Sequence, residues 1–276
     1  MKKTCLFILA IIIFAFGCKK DENENTEEKE NIYVTVNLNQ INVYNGMELT
    51  ITATAIGGEI REAFFYFDGI NIGSSIMQPY SIKYLLKDIE PGNHIITCIV
   101  KSHKNNDFQG EANLSLSLRL GDEYKGGKIF FLNEDGISGL IGATEDYKEV
   151  ISHTTYILHR WGNDGIIGTD IYDGQKNTNL MATHPITSES GFGILFKNGL
   201  NYNGYNDWYI PSYEELLLFE RNQGYVGNFN LDVPNEAIYW SSSEIDETRA
   251  YLVNFRNLTG HNYKSKFFRI RPIRKF

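Results

Sequence analysis

Acidic and amide side chains are concentrated in one stretch of the second half of the chain. Asn163, Asp164 and Gly165 are followed by Asp170 and Asp173. Carboxylate and carbonyl oxygens are the ligands that calcium prefers. The spacing does not match an EF-hand loop, however, and clusters of Asn, Asp and Gly usually form turns. A calcium site within residues 163–173 stays open as an alternative, while our prediction is that the protein needs no cofactor and no metal.

Three residue patterns that commonly carry enzymatic chemistry do not occur in the sequence. There is no Gly-x-Ser-x-Gly nucleophile elbow, no His-Glu-x-x-His motif and no phosphate-binding Gly-Lys-Ser/Thr loop. His153 and His159 lie six residues apart, and two histidines without further ligands do not make a zinc site. We therefore predict that the protein is not an enzyme.

Basic residues are segregated at the end of the chain. Residues 121–247 contain 7 Lys and Arg against 20 Asp and Glu, whereas residues 248–276 contain 8 Lys and Arg and no acid. Ordinary pairing of these cations with the acidic remainder is one explanation. The other is a positive patch made by Arg256, Lys264 and Lys266, which would bind an anionic polysaccharide through paired N–H donors.

The N-terminus has the layout of a signal peptide over residues 1–17. Lys2 and Lys3 precede an apolar run, and the uncharged stretch to Gly17 is 14 residues long, short of the ~20 that a membrane-spanning helix needs. The end of this run, with Gly17 before Cys18, resembles a lipobox. That resemblance implies lipid attachment at Cys18 and a membrane as partner, and simple cleavage to a secreted protein is the alternative.

Residues 18–31 are expected to form a disordered acidic tether. From Lys19 to Glu30 there is no apolar residue, and three Lys stand against six acids. Lys19-Lys20-Asp21-Glu22 resembles the charged signal that sends lipoproteins of Bacteroidetes-type bacteria to the outer face of the outer membrane, although a plain spacer would look similar. The net charge of −8 offers nucleic acid no attraction.

Residues 32–120 alternate apolar and polar residues in short runs separated by turn signals, which predicts an antiparallel β-sandwich. We expect strands near 48–55, 63–67, 94–100 and 113–120, with Cys98 as a small buried residue and His94 in a structural role. The segments Phe65–Gly73, Pro79–Ser81 and Glu90–His94 resemble the bacterial Ig-like family. Modules of that family mostly serve as spacers or adhesion units.

Residues 121–276 combine one strong helix signal with several short strands. Ser212 and Glu215 form a capping-box pattern before Leu216 and Phe219, with Gly224 as the expected stop. A weaker helix is expected at 177–183, and strands near 128–132, 139–143, 238–243, 250–256 and 267–274. Trp208 and Trp240 are expected in the core rather than in a sugar site.

Four segments of this second part resemble the C-terminal domain family of the Legionella collagen-like protein. They are Gly121–Phe131, Asn206–Leu216, Tyr239–Glu244 and Phe268–Arg274. The resemblance implies an α+β C-type-lectin-like fold, which formylglycine-generating enzymes also use. Their oxidative chemistry depends on active-site cysteines, and residues 121–276 contain none.

Together these patterns predict an all-β Ig-like sandwich plus an α+β C-type-lectin-like domain on a surface-exposed, membrane-anchored lipoprotein of the outer membrane. The predicted role is adhesion or recognition, with a polysaccharide or another surface protein as partner. A structural or accessory envelope protein, such as a subunit of a polysaccharide-uptake system, is the alternative.

Overall fold

The computed structural model describes residues 29–151, 153–188, 191, 199–229, 231, 237–256 and 258–276. The predicted signal peptide, Cys18 and most of the predicted tether lie outside these residues. Ile32–Phe276 forms one compact unit. No helix in the described part of the chain is long and apolar enough to cross a membrane.

The first part of this unit is a β-sandwich of two sheets. Its strands are β1 (Tyr33–Leu38), β2 (Asn42–Val43), β3 (Glu48–Ile56), β4 (Ile60–Phe67), β5 (Ile70–Ser75), β6 (Tyr80–Leu85), β7 (Gly92–Ser102) and β8 (Asp107–Leu116). One sheet has the order β1-β3-β6 and the other β2-β8-β7-β4-β5. All neighbours pair antiparallel except β2 and β8. The predicted sandwich is therefore confirmed.

Strict alternation builds the core between the two sheets, because successive side chains of a strand point to opposite faces. Phe65 and Phe67 of β4 face inward with Ile96 and Cys98 of β7. Cys98 is a fully buried free thiol, and burial raises its pKa to about 12. The last expected strand ends at Leu116 rather than at Leu120, which is 36% exposed.

His94 has the structural role that its place beside a turn predicts. Its Nδ1 lies 2.6 Å from Asp68 Oδ2, and its Nε2 lies 2.9 Å from the carbonyl oxygen of Glu90. Burial by itself would raise the pKa of Asp68, but the hydrogen bonds from His94 and from the N–H of Ile95 outweigh burial and hold it below its ordinary value. The histidine thus ties the β4–β5 turn to the start of β7.

The second part of the unit mixes short strands with helices. Its elements are β9 (Glu123–Tyr124), β10 (Gly127–Leu132), β11 (Gly139–Gly142), β12 (Glu149–Ile151), β13 (Thr154–Tyr156), β14 (His159–Arg160), α1 (Gly174–Thr183), α2 (Pro185–Ser188), β15 (Leu200–Tyr202), β16 (Tyr205–Trp208), α3 (Tyr213–Arg221), α4 (Gln223–Val226), β17 (Ile238–Glu244), β18 (Arg249–Asn254), β19 (Leu258–Tyr263), β20 (Phe267–Phe268) and β21 (Ile273–Lys275). The larger sheets have the orders β21-β11-β10-β9 and β17-β18-β19.

The strand expected at 267–274 is split into β20 and β21. Between them Arg269 and Arg271 extend their side chains to Asp146, and Pro272 has no N–H to donate to a sheet. The chain therefore leaves one sheet and enters another across this segment.

Helix α3 begins where the capping box predicts. Ser212 Oγ accepts the N–H of Glu215, and the Glu215 carboxylate accepts the N–H of Ser212 at 2.9 Å. Leu216 and Phe219 are fully buried on one face. The predicted stop at Gly224 is wrong, because α3 ends at Arg221 and Gly224 lies within α4.

The tryptophans belong to the core, as expected for Trp208 and Trp240. Trp161 and Trp240 are fully buried and Trp208 is 3% exposed. Each indole N–H donates to a backbone carbonyl oxygen, at Ser241, His159 and Tyr202 respectively. Their rings are therefore not accessible for stacking against a ligand.

Candidate functional site

Lys264, one of the three predicted ligand-binding residues, is buried instead of exposed. Its Nζ donates to Glu244 Oε2 at 2.8 Å and to the carbonyl oxygen of Gly165. The ammonium also lies 4.6 Å from the ring centroid of Trp161. Lys264 therefore joins β17 to the loop at 165 and is not exposed as a ligand-binding patch requires.

Arg256 and Lys266 are exposed but lie beyond opposite ends of β19. At about 3.3 Å per residue, the strand between them spans roughly 17 Å. With Lys264 buried and the other two apart, the predicted basic patch is not formed.

Most of the remaining C-terminal cations pair with acids, as the alternative explanation held. Arg269 and Arg271 share the Asp146 carboxylate, at 2.9 and 2.7 Å. Arg274 contacts Asp207 at 2.8 Å. Because these groups are almost fully buried, with the exception of Asp207, they hold the framework together and are not available to an anionic ligand.

The stretch considered for calcium is organised around an internal carboxylate. Glu244 accepts the backbone N–H groups of Ile167 and Thr169, at 2.9 and 3.1 Å, and that of Gly168. Asp173 is used as the N-cap of α1. Within the described residues, no group of three or more His, Cys, Asp or Glu is placed to bind a metal.

The two histidines considered for zinc differ in their surroundings. His153 lies exposed in the turn between β12 and β13, with a positive φ of 70°. His159 is 7% exposed, and burial lowers its pKa to about 4. His153 is therefore an exposed turn residue, and His159 is a core residue.

A cleft of about 430 Å³ lies where the sandwich meets the second part of the chain. Two residues of its lining, Asp88 and Tyr124, form hydrogen bonds across the junction. Asp88 accepts the N–H of Lys125, and Glu90 accepts the Tyr124 hydroxyl at 2.6 Å. Asn203 donates to the carbonyl oxygen of Gly126 at 2.8 Å. The arrangement is a joint between the two parts of the unit.

The outer face of the five-stranded sheet has different chemistry. On the two central strands, β4 and β7, the outward positions form a hydrophobic stripe, although this face points away from the core. The stripe consists of Phe64, Tyr66, Ile95, Thr97 and Ile99. Strand register places Phe64 beside Ile99 and Tyr66 beside Thr97. Ile95 is 44% exposed and the other four are partly exposed.

Polar side chains border this stripe on both sides. They are Gln109, Glu111 and Asn113 on β8, and Asn71 and Ser74 on β5. All five are exposed, and none forms a side-chain hydrogen bond or ion pair with another described residue. We call the stripe and its two borders the platform.

The platform has regular dimensions because it is built on paired strands. Residues two apart on a strand are about 6.7 Å apart, and neighbouring strands about 4.8 Å apart. Phe64 and Tyr66 therefore present two rings along β4, with hydrogen-bonding groups roughly one or two strands away on either side. This arrangement can accept a flat ligand that has an apolar face and a polar rim.

The platform could have been found from the sequence by its alternation. In Ala63–Phe67, burial of Ala63, Phe65 and Phe67 leaves Phe64 and Tyr66 on the opposite face. Taken only as a strand pattern, this run does not point to a site. Aromatic residues on both faces of an antiparallel strand are the signal that would have done so.

Comparisons with known proteins give weak results. No family model matches the chain, and no curated protein matches it. Among solved structures, the chain is similar to fibronectin(III)-like modules of Clostridium thermocellum CbhA, with 29% identity, a TM-score of 0.27, and 31% of this chain and 98% of that one covered.

Two further similarities are to proteins whose descriptions mention carbohydrate ligands. One is to carbohydrate-binding modules of the β-sandwich superfamily, with 13% identity, a TM-score of 0.29, and 49% of this chain and 56% of that one covered. The other is to SGBP-B of the Bacteroides ovatus mixed-linkage glucan utilization locus, in complex with a heptasaccharide, with 12% identity, a TM-score of 0.24, and 47% and 33% covered. The chain thus spans about half and a third of these two chains. Similarity at this level identifies neither a family nor a function.

Proposed function

We propose that this protein is a surface lipoprotein that binds polysaccharide, and that the platform is its binding surface. The observation that carries the proposal is the hydrophobic stripe bordered by exposed polar side chains that have no partner among the described residues. A sugar ring combines an apolar C–H face with a rim of hydroxyl groups. Aromatic side chains with a few placed polar groups are the usual way to bind such a ligand.

The two carboxylates on the outward face of β8 are far apart for the usual glycosidase arrangement. Most glycosidases use two carboxyl groups about 5–9.5 Å apart. Asp107 and Glu111 lie on the same face of β8, but they are four positions apart, which separates their backbones by about 13 Å. Asp107 is also paired with Lys101 at 2.9 Å. The pair of Asp107 and Glu111 therefore does not fit a two-carboxylate mechanism.

We assign residues 121–276 a C-type-lectin-like fold of the Legionella collagen-like C-terminal family as part of the same proposal. Residues of the resembling segments have framework roles in the structure, which supports the assignment. Asp207 pairs with Arg274, Ser212 caps α3, and Trp240 is buried. In this proposal the second part supports and positions the sandwich.

The proposal places the protein on the outer membrane through lipid on Cys18. The apolar run that ends at Gly17-Cys18 and the charged segment after it support this location. Several acyl chains together make a stable membrane anchor, whereas one does not. The tether would then hold the platform at the cell surface.

Affinity gel electrophoresis tests the binding surface. We would use the chain from Lys19 onward, which keeps every described residue, in gels that contain hydroxyethylcellulose, galactomannan or xylan. We expect at least one of these to retard the protein. Phe64→Ala and Tyr66→Ala should each weaken binding by about tenfold, which corresponds to about 1.4 kcal/mol.

The matched control is Tyr33→Ala, because Tyr33 is a 70% exposed aromatic on the outer face of the other sheet. This control should bind like the unmodified chain. If a ring variant fails to fold, Gln109→Ala and Asn113→Ala replace it, since both side chains are exposed. Retardation that none of the platform variants changes would refute the proposed surface.

A further inference from the structure

The charges around the platform are mostly negative. Four carboxylates lie on or at the ends of its central strands and border, at Glu62, Asp68, Asp107 and Glu111. Against them the same described strands carry two exposed or partly exposed cations: Lys101, which is paired with Asp107, and Arg61, which donates to Asn105 Oδ1 at 2.8 Å. An approaching anionic polymer would meet an excess of like charge.

Glu111 lies at the middle of the polar border on β8, in the same row across the sheet as Tyr66. Register places Glu111 beside Thr97 on β7, and Thr97 beside Tyr66 on β4. The three residues form one row across the sheet, with Glu111 and Tyr66 about 10 Å apart at two strand spacings. A sugar ring stacked on Tyr66 would turn its hydroxyl edge across Thr97 toward the Glu111 carboxylate.

The carboxylate of Glu111 favours a neutral, hydroxyl-rich ligand over an anionic one. An ionised carboxylate only accepts hydrogen bonds, and its two oxygens can take two neighbouring hydroxyl groups. Hydrogen bonds to a charged acceptor are about twice as strong as neutral ones. The carboxylate or sulfate of an anionic glycan has no proton to donate to it.

We infer that the platform takes a neutral glycan, and that Glu111 is the residue that selects it by accepting hydroxyl groups and repelling anionic chains. This inference rests on the proposed function and replaces the anionic polysaccharide expected from the sequence. The C-terminal cations that suggested an anionic ligand are buried, paired or far apart. No cation of the described residues pairs with Glu111.

The experiment compares neutral and anionic polysaccharides on the same gels. The anionic probes are polygalacturonate and heparin, each at low and high salt, because exposed charges are screened over ~10 Å at 0.1 M. We expect retardation by a neutral polysaccharide and none by the anionic probes. Glu111→Gln should weaken the neutral interaction by about tenfold.

Glu134→Gln is the control for charge alone, since Glu134 is exposed in the β10–β11 turn away from the platform. It should leave binding unchanged. Polygalacturonate or heparin could retard the protein more strongly than the neutral polysaccharides do. If high salt and Phe64→Ala each remove that retardation, the neutral-glycan inference is overturned and the proposed surface stands. Absence of retardation by every probe would overturn both.

Discussion

Lys264 and Glu244 form a buried ion pair, with 2.8 Å between Nζ and Oε2 and exposed side-chain fractions of 0% and 6%. Glu244 also accepts backbone N–H groups of Ile167 and Thr169. Lys264 in turn reaches the carbonyl oxygen of Gly165. The pair therefore fixes the loop that precedes α1, and the cation that balances Glu244 there is the Lys264 ammonium group.

Removal of Lys264 should destabilise the protein strongly. Lys264→Met leaves a buried carboxylate without its counter-charge, and loss of one partner of such a pair costs about 3–5 kcal/mol. Lys266→Met is the matched control, because Lys266 is exposed two residues away and surface changes stay within about 0.5 kcal/mol. Urea unfolding measures both. Equal midpoints for the two variants would mean that the pair has no part in stability.

Lipid attachment at Cys18 is a prediction about a residue outside the part of the chain that the structure describes. Mass spectrometry of the mature protein should find acyl chains on an N-terminal Cys18, and Cys18→Ala should release the protein from the membrane fraction. A Cys98→Ala variant controls for loss of a thiol and should stay with the membrane. A free, unmodified Cys18 on a soluble protein would contradict the anchoring.

The α3 capping box should contribute unequally from its two members. Ser212→Ala should cost about 1 kcal/mol, the usual value for loss of an N-cap. Glu215→Ala should cost about 3 kcal/mol, because its carboxylate accepts the N–H groups of Ser212 and Gly174 and the hydroxyl of Tyr209. The exposed Ser265→Ala is the control. Thermal unfolding of the three variants gives the comparison. A loss of stability in Ser212→Ala that equals or exceeds the loss in Glu215→Ala would contradict the prediction.

Local patterns predicted the elements well. The alternation around Phe65 and Cys98 fixes the inward face of two strands, and Ser212 with Glu215 marks the first turn of a helix. These features depend on residues that are neighbours in the sequence. For that reason the sandwich and the start of α3 follow from the sequence, and the ends of elements such as Leu116 follow less well.

Long-range contacts account for what the sequence did not reveal. Lys264 looks free until the fold places Glu244, 20 residues earlier, against it. Likewise, alternation puts Phe64 and Tyr66 opposite the core, but only the assembled sheets show that their face is open. The candidate site therefore moved from the C-terminal cations to the sandwich.

His159 should make stability depend on pH between about 6.5 and 4. Burial lowers its pKa to about 4 in the folded protein, whereas an unfolded His titrates near ~6.5. In this window the unfolded chain binds a proton that the folded protein excludes, so the free energy of unfolding falls as the pH falls. At about 1.4 kcal/mol per pKa unit, the loss between pH 6.5 and 4.5 is roughly 2–3 kcal/mol.

His159→Gln should remove this dependence, because Gln does not titrate. His153→Gln is the control, since His153 is exposed, and it should keep the slope of the unmodified chain. Urea unfolding at about pH 7, 6, 5 and 4.5 gives the comparison, and the lower limit keeps most carboxylates ionised. Parallel curves for His159→Gln and the unmodified chain would show that His159 has the same pKa in the folded and unfolded states, and the lowered pKa would then be wrong.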